Sequence, residues 1–180
     1  LPARAADPIG ENGVVVILID EGTSPIQRDL DAVETAALTI ASSTPAGTIA
    51  AASYGVEANE IVSAKSGPAG TRLVDDVVTD IRSMDIGPAR SDQFAALTDA
   101  FSFLSRVDAV EGSRVVLLTS GRILGESENT RERLVNVADL FSAEGWVIDV
   151  ITLPSAEPVL RELLSGLSTG SDGVFYDTGT

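Results

Sequence analysis

One stretch decides the fold: Gly13-Val14-Val15-Val16-Ile17-Leu18-Ile19-Asp20. Five of its residues are β-branched and one is leucine, a pattern that predicts a strand buried on both faces, as in a parallel sheet. An acid ends the strand, and Glu21-Gly22-Thr23-Ser24 follows before a helical pattern begins. In open parallel sheets, ligands bind beyond the carboxyl ends of the strands. Asp20 and the residues after it are therefore a candidate site.

The composition of the 180-residue chain excludes several kinds of site. The chain has no cysteine and no histidine, which excludes disulfides, thiolate nucleophiles, Ser-His-Asp triads and imidazole metal ligands. Only oxygen ligands remain, so a bound metal would be a hard cation, Mg²⁺ or Ca²⁺. The formal net charge of -15 argues against nucleic acid as a partner. No apolar run reaches the ~18 residues of a membrane span, so we expect no direct membrane insertion.

Strand patterns and helix patterns alternate along the chain and predict an α/β domain. The predicted elements are a strand over 13–20, a helix over 26–43, strands over 48–54 and 59–65, a helix over 71–84, a helix after Ser91, a strand over 115–119, a helix from Asn129 or Thr130 to Gly145, a strand over 147–153, a helix over 159–167 and a strand over 173–176. Crossovers of this length are right-handed, so this order predicts a mainly parallel sheet with helices on both faces.

The residues 48–65 break the parallel pattern. Gly55-Val56-Glu57-Ala58 is too short for a crossover, so we expect an antiparallel hairpin whose second strand is the sheet edge. Residues 1–12 are interpreted as a linker or N-terminal tail, in which Ala3-Arg4-Ala5 is similar to the end of a signal-peptide cleavage site. Residues 13–180 are predicted to form one domain.

The segment Asp20–Ser24 has two interpretations. An Asp followed by hydroxyl groups on a turn could place oxygen ligands around a hard cation. Alternatively, Asp20 accepts backbone N–H bonds and Ser24 or Thr23 caps the next helix. Ser91-Asp92 also has two interpretations. It could be a helix N-cap followed by an acid that favours the helix dipole, or a segment that supplies metal ligands.

Several catalytic motifs are missing from the sequence. No phosphate-binding glycine pattern of the G-x-G-x-x-G or G-x-x-x-x-G-K-[ST] type occurs. Thr119-Ser120-Gly121 ends the second apolar strand, but Ser120 has no histidine to activate it as a nucleophile. The sequence therefore gives little support to a hydrolase.

Taken together, these segments resemble the von Willebrand factor type A (vWA) family over about residues 13–177. The apolar strand ending in Asp20 is similar to the family's first strand, which continues into a D-x-S-x-S motif. In that motif Gly22 stands at the first serine position and Ser24 at the second. The family's second metal-site element, a threonine five residues before Ala-Leu, falls on Ser91. In the third element, strand-T-D-G, Ser120 takes the place of the aspartate.

The resemblance implies a three-layer, Rossmann-like vWA fold. Such a fold has a mostly parallel six-stranded sheet, one antiparallel edge strand, helices on both faces and a metal-ion-dependent adhesion site at the carboxyl end of the sheet. Domains of this family bind proteins, often through an acid of the partner that completes the metal shell. The family usually adds a helix after its last strand, and we expect that helix to be absent from residues 13–180.

The resemblance also implies that the metal site is degenerate. Asp20, Ser24 and Ser91 are the expected metal ligands, while Gly22 and Ser120 occupy the remaining ligand positions with weaker or no ligand groups. Three acids near these positions in sequence could compensate: Glu21, Asp92 and Glu126. We therefore expect no cofactor, with Mg²⁺ or Ca²⁺ binding only at low affinity.

The leading hypothesis is a non-enzymatic protein-binding (adhesion or interaction) domain within a larger protein. Its expected partner is a protein ligand or a neighbouring domain, and an extracytoplasmic or cell-surface location is favoured. One alternative is a metal-dependent adhesion domain that binds Mg²⁺ or Ca²⁺ through substituted ligands. A second is an α/β phosphotransfer or hydrolase domain with Asp20 as the nucleophile, but no lysine follows Lys65 to assist it.

Overall fold

A computed structural model describes residues 12–23, 27–45, 47–83, 91–120, 128–152 and 158–178. Strands and helices alternate along these residues as the sequence predicts. In chain order they are β1 (Val14–Asp20), a 3₁₀ turn (Glu21–Thr23), α1 (Gln27–Ser43), β2 (Thr48–Tyr54), β3 (Val62–Lys65), α2 (Pro68–Ser83), α3 (Gln93–Arg106), β4 (Arg114–Thr119), α4 (Glu128–Ala143), β5 (Val147–Thr152), α5 (Pro158–Gly170) and β6 (Phe175–Asp177).

The six strands form one sheet in the order β3-β2-β1-β4-β5-β6. All neighbouring strands run parallel except β2 and β3, which pair antiparallel with Thr48 opposite Lys65. The predicted hairpin and its position at the sheet edge are therefore confirmed. The edge strand is shorter than the predicted 59–65, because residues 55–61 form a longer connection that is closed by a single bridge between Tyr54 and Ala58.

Helices cover both faces of the sheet and create two separate apolar cores. Helices α1 and α2 pack on one face, around residues such as Ile17, Val33 and Val78. Helices α3, α4 and α5 pack on the other, around residues such as Leu18 and Phe141. Strand β1 contributes alternate residues to both cores, as the double burial of its sequence predicts. The predicted three-layer α/β architecture is confirmed.

Several element boundaries differ from the predictions, those of α2 and β6 among them. Helix α2 begins at Pro68 instead of residue 71, which suits proline because the first helical turn needs no N–H donor there. Strand β6 runs from Phe175 to Asp177 instead of over 173–176. The Val174 N–H donates to Asp149 Oδ1 at 2.8 Å, so this donor bonds a side chain before the regular ladder begins.

The start of the chain lies outside the described residues. The predicted linker over 1–12, including Ala3-Arg4-Ala5, and the domain boundary at residue 13 therefore stay predictions. Among the helices that the structure describes, none combines the length and apolar character needed to cross a membrane.

The turn between α5 and β6 leaves no room for a side chain at Gly173. An added Cβ would overlap the carbonyl oxygen of Ile148 on β5. Overpacking of this kind costs about 1–3 kcal/mol, so we expect Gly173→Ala to lower the free energy of unfolding in urea by that amount.

Gly166 provides a matched control for this prediction. It is exposed on α5, and an added Cβ would meet no atom of another element within 4 Å. Alanine forms helices better than glycine by about 0.5–1 kcal/mol, so Gly166→Ala should stabilise the domain. A Gly173→Ala variant as stable as the Gly166→Ala variant would show that the α5–β6 turn does not pack against β5 in this way.

Candidate functional site

The candidate site lies where β1, β2 and β4 end. Asp20 is the last residue of β1 and lies beside Tyr54 of β2, while Ser120 follows the last residue of β4. Ser91 precedes α3 and donates a hydrogen bond to Asp20. The structure thus brings three chain segments together at the carboxyl end of the sheet. Asp20, Gly22, Ser91 and Ser120 meet there, whereas Ser24 lies outside the described residues.

The Asp20 carboxylate is fully buried and accepts at least five hydrogen bonds. Its Oδ1 accepts from the Gly22 backbone N–H at 2.8 Å and from the Ser91 hydroxyl. Its Oδ2 accepts from the Thr119 hydroxyl at 3.1 Å. The same oxygen accepts from the backbone N–H and the hydroxyl of Ser120, each at 2.9 Å. A carboxylate offers about four acceptor positions, so these donors occupy both oxygens.

The observed hydrogen bonds agree in part with each of the two sequence interpretations of Asp20. Asp20 accepts backbone N–H bonds, as the structural interpretation requires. The hydroxyls at two family ligand positions, Ser91 and Ser120, also turn towards it, but each donates its proton to the carboxylate. A cation could bind the Asp20 oxygens only by displacing one or more of these donors. The metal-ligand role of Asp20, Ser24 and Ser91 stays a prediction.

Two of the three acids that could compensate for the missing aspartate have other partners. Glu21 Oε1 accepts from Ser53 Oγ at 2.9 Å and from Asn59 Nδ2 at 2.6 Å. Asp92 Oδ1 accepts from the Ala95 N–H at 2.9 Å. Glu126 lies outside the described residues. In the part of the chain that the structure describes, no group of three or more acidic side chains is placed to hold a metal ion.

The cap of α3 differs from the sequence interpretation, in which Ser91 was the N-cap and Asp92 the first helical acid. The helix begins at Gln93 and Asp92 is its N-cap. The Asp92 N–H also donates to the Gly55 carbonyl at 2.8 Å, which ties the start of α3 to the end of β2. Because Asp92 caps the helix, the fully buried Ser91 is free to donate to Asp20.

The sequence analysis gave no site role to three polar side chains near Asp20, which are those of Tyr54, Gln93 and Thr119. The buried Thr119 donates to Asp20, and Gln93 Nε2 donates to Thr119 Oγ1 at 3.2 Å. The Tyr54 hydroxyl is fully buried and donates to the Leu118 carbonyl at 3.3 Å. A usable signal was present for two of them, because Tyr54 and Thr119 are polar residues at the last position of the strands that flank Asp20.

Tyr54 is held in its neutral form. Burial is the largest cause that raises the pKa of Tyr54 well above its usual value of 10.0, and the negative charge of Asp20 raises it further. Hydrogen bonds with Thr119 and Gln93 lower it by smaller amounts. The tyrosine therefore acts as a neutral, buried hydrogen-bond donor beside Asp20.

The raised pKa predicts a loss of stability at alkaline pH. In the unfolded chain Tyr54 ionises near pH ~10, but the folded state keeps its proton to higher pH. The stabilisation is therefore complete below pH ~10 and is lost as pH rises above that value through the folded pKa. We expect the free energy of unfolding to fall steeply in that window. Tyr54→Phe should flatten the fall and, near neutral pH, lower stability by about 1 kcal/mol through the lost hydrogen bond.

Tyr176 offers a matched control because its side chain is 51% exposed on β6. Tyr176→Phe should leave the alkaline fall unchanged, since Tyr54 is intact. Urea unfolding at a series of pH values measures both variants. An unchanged alkaline slope in Tyr54→Phe would mean that Tyr54 is not the buried group that titrates.

Comparison with solved structures identifies the fold. A von Willebrand factor type A protein from Catenulispora acidiphila aligns with a TM-score of 0.70 and 15% identity over 92% of this chain. The SpRpn10 VWA domain aligns at 0.62 and 13% identity over 92% of this chain and 87% of its own. Manganese-loaded Plasmodium vivax TRAP protein aligns at 0.61 and 19% identity over 80% of this chain and 58% of its own.

These comparisons show a vWA fold, as the sequence resemblance implies. The chain spans only 38% of the Catenulispora protein. No protein-family model and no curated protein sequence matches the chain. The fold is therefore established from structure alone, at identities too low to transfer a function.

Proposed function

We propose that this chain is a non-enzymatic protein-interaction domain of vWA fold in which a hydrogen-bonded Asp20 replaces the metal site. One observation carries the proposal. The hydroxyls at two family ligand positions, Ser91 and Ser120, both donate to the buried Asp20 carboxylate. The site is held together by these hydrogen bonds, so the carboxyl end of the sheet keeps its shape without an ion. We expect its partner to be a protein or a neighbouring domain. We expect the interaction to take place outside the cytoplasm or at the cell surface.

Charge supports this interpretation. With Ser120 in place of aspartate, Asp20 is the one acid at the family's ligand positions. At an effective dielectric constant of about 20 and a distance of ~4 Å, a second carboxylate would attract a divalent ion by about 8 kcal/mol. This figure does not include the cost of desolvation. A small hard cation gives up its hydration shell reluctantly, so the loss of that carboxylate weakens binding strongly. Occupancy by Mg²⁺ or Ca²⁺ at physiological concentration is therefore disfavoured.

An enzymatic role for Asp20 has little support from its surroundings. A carboxylate nucleophile needs a free oxygen, and both Asp20 oxygens accept hydrogen bonds from buried donors. Lys65, the single lysine of the chain, lies on the edge strand β3, which β2 separates from β1. Incubation with acetyl phosphate followed by intact-protein mass spectrometry tests this role. We expect no phosphoryl adduct, and an adduct that disappears in Asp20→Asn would overturn the proposal.

A metal-dependent adhesion domain is the second candidate, favoured by one observation. A protein of the same fold, Plasmodium vivax TRAP, has been solved loaded with manganese. The two candidates differ in whether a partner needs a cation. Domain immobilised on resin is cross-linked to proteins from its native source in the presence of either EDTA or Mg²⁺. We expect the same partner in equal yield under both conditions, whereas recovery that depends on Mg²⁺ would favour the second candidate.

A further inference from the structure

A small cleft separates the connection after β2 from helix α3. It has a volume of about 230 Å³, which is below the ~300–1,000 Å³ of pockets that hold drug-sized ligands. One wall consists of residues 58–61 of the connection. The other wall is a continuous stripe on α3, since its residues are spaced three and four apart: Asp99, Ser102, Phe103 and Arg106. A cleft of this size suits a single side chain.

The floor of the cleft is apolar. Phe103 is buried and belongs to the core that α3, α4 and α5 form on this face of the sheet. Ala58 and Ile61 pack against the same core from the connection. These three side chains give the cleft an apolar surface against which the alkyl stem of a long side chain can pack.

The polar groups at the rim are mostly hydrogen-bond acceptors. Glu60 and Asp99 are exposed and each brings a carboxylate to the cleft. Among the described residues, neither carboxylate accepts a hydrogen bond or forms an ion pair. Asn59 Nδ2 donates to Glu21 Oε1 and to Ser53 Oγ, which leaves the amide oxygen of Asn59 as its available group. The rim therefore suits a ligand that is rich in donors.

Arg106 is the one cation that lines the cleft. Its guanidinium lies over the Phe103 ring, 5.5 Å from the ring centroid, and it forms no ion pair with the carboxylates of the described residues. Two carboxylates, those of Glu60 and Asp99, against one guanidinium leave one unit of negative charge in the lining. The cleft therefore attracts a cationic group.

We infer that this cleft binds an arginine side chain of the partner protein. The inference rests on the proposed interaction function and names a contact that carries it. A guanidinium has five N–H donors and no acceptor, which complements a rim of two carboxylates and an amide oxygen. Its planar fork bonds a carboxylate with two parallel hydrogen bonds, which the ammonium of lysine does not form.

Charge favours this occupant over a second copy of the chain. The chain carries a net charge of -15, so two copies repel each other, while a basic segment of a partner is attracted. Asp20 is fully buried and accepts hydrogen bonds from its neighbours, so its charge does not face a partner. Glu60 and Asp99, by contrast, are exposed beside the cleft.

The test uses a blocked tripeptide, acetyl-Gly-Arg-Gly-amide, as the probe. The control is the same peptide with citrulline, which has nearly the shape of arginine but no charge. Nuclear magnetic resonance titration of the domain should shift the amide signals of Glu60, Ile61 and Ser102 with the arginine peptide alone. Equal shifts with the citrulline peptide, or shifts spread over the whole acidic surface, would overturn the inference. A lysine peptide that binds as tightly would overturn the assignment to arginine.

Two matched double variants locate the site. Glu60→Gln with Asp99→Asn removes both carboxylates of the cleft and should weaken binding of the arginine peptide about tenfold or more. Glu132→Gln with Asp139→Asn makes the same changes on the exposed surface of α4 and should alter binding less than about twofold. Equal effects of the two double variants would show that only the overall charge attracts the peptide, and would contradict a cleft site.

Arg106 gives a test with the opposite sign. Arg106→Gln removes a like charge from the lining and should strengthen binding of the arginine peptide about twofold or more. Arg72→Gln removes the same charge from an exposed position on α2 and should leave binding unchanged. Weaker binding by Arg106→Gln would mean that Arg106 holds an anionic group of the ligand, and would overturn the inference.

The double variant of the cleft also separates this inference from the proposed function. If cross-linking recovers a protein partner equally with the native domain and with Glu60→Gln/Asp99→Asn, the interaction function stands and the cleft is wrong. If the native domain recovers no partner, the proposed function itself fails.

Discussion

Asp20→Ala should lower the free energy of unfolding by about 3–5 kcal/mol. The substitution leaves the buried backbone N–H groups of Gly22 and Ser120 without their acceptor. It also removes the acceptor of three hydroxyls, those of Ser91, Thr119 and Ser120. A buried donor without a partner costs about 1–3 kcal/mol, and water entering the cavity recovers part of the sum. Urea unfolding in EDTA measures the loss.

A conventional metal site would behave differently in this experiment. Where carboxylates face each other around an empty ion position, removing one relieves repulsion and leaves stability unchanged or higher. Asp139→Ala is the matched control, because Asp139 is exposed on α4 and exposed substitutions change stability by less than about 0.5 kcal/mol. A stabilising effect of Asp20→Ala, or a loss no larger than in the control, would contradict the hydrogen-bonded site.

The second prediction with a large expected effect is that two substitutions at the site create metal binding. The double substitution Gly22→Ser with Ser120→Asp restores the side chains that the family has at those positions. The added carboxylate supplies a second negative charge close to the ion, and the added serine supplies a hydroxyl ligand. A net gain of ~3 kcal/mol corresponds to more than a hundredfold in affinity. We expect the native chain to bind Mg²⁺ weakly or not at all at millimolar concentration, and the variant to bind it measurably by isothermal titration calorimetry.

A control variant separates the local charge from the overall charge. Ser102 and Gly166 are exposed on α3 and α5, so Ser102→Asp with Gly166→Ser makes the same chemical changes away from the site. This control should bind no more Mg²⁺ than the native chain, because diffuse surface charge is screened within about 10 Å. Equal titration curves for the two double variants would show that the loops do not present ligands as the family does.

The fold could be predicted from the sequence because its signals are local and repeated. The apolar run over 13–20 identifies the central strand, and the short connection after Tyr54 fixes the one antiparallel pair. Element ends were less accurate, as at β3 and β6. There the backbone groups bond to loops or side chains, such as the Val174 N–H to Asp149, and spacing alone carries no information on such partners.

The site was only partly predictable. The resemblance predicted that Asp20, Ser91 and Ser120 lie together, and they do, since each lies at or next to the end of an element whose position the topology fixes. Their role as metal-site positions stays a prediction. The resemblance could not show that the hydroxyls donate to Asp20, because that depends on side-chain direction in three separate segments. The choice of Asp92 over Ser91 as the N-cap, and the burial of Tyr54 beside Asp20, depend on packing between β2 and α3.

The central claim is that Asp20 is satisfied by hydrogen bonds where the family holds a metal ion. The most direct test adds Mn²⁺ to the isotope-labelled native chain in nuclear magnetic resonance, since this paramagnetic ion broadens the signals of nearby amides. The amides of Gly22 and Ser120, which donate to Asp20, should stay sharp at ~1 mM Mn²⁺. Selective broadening of these two amides at micromolar Mn²⁺ would contradict the account.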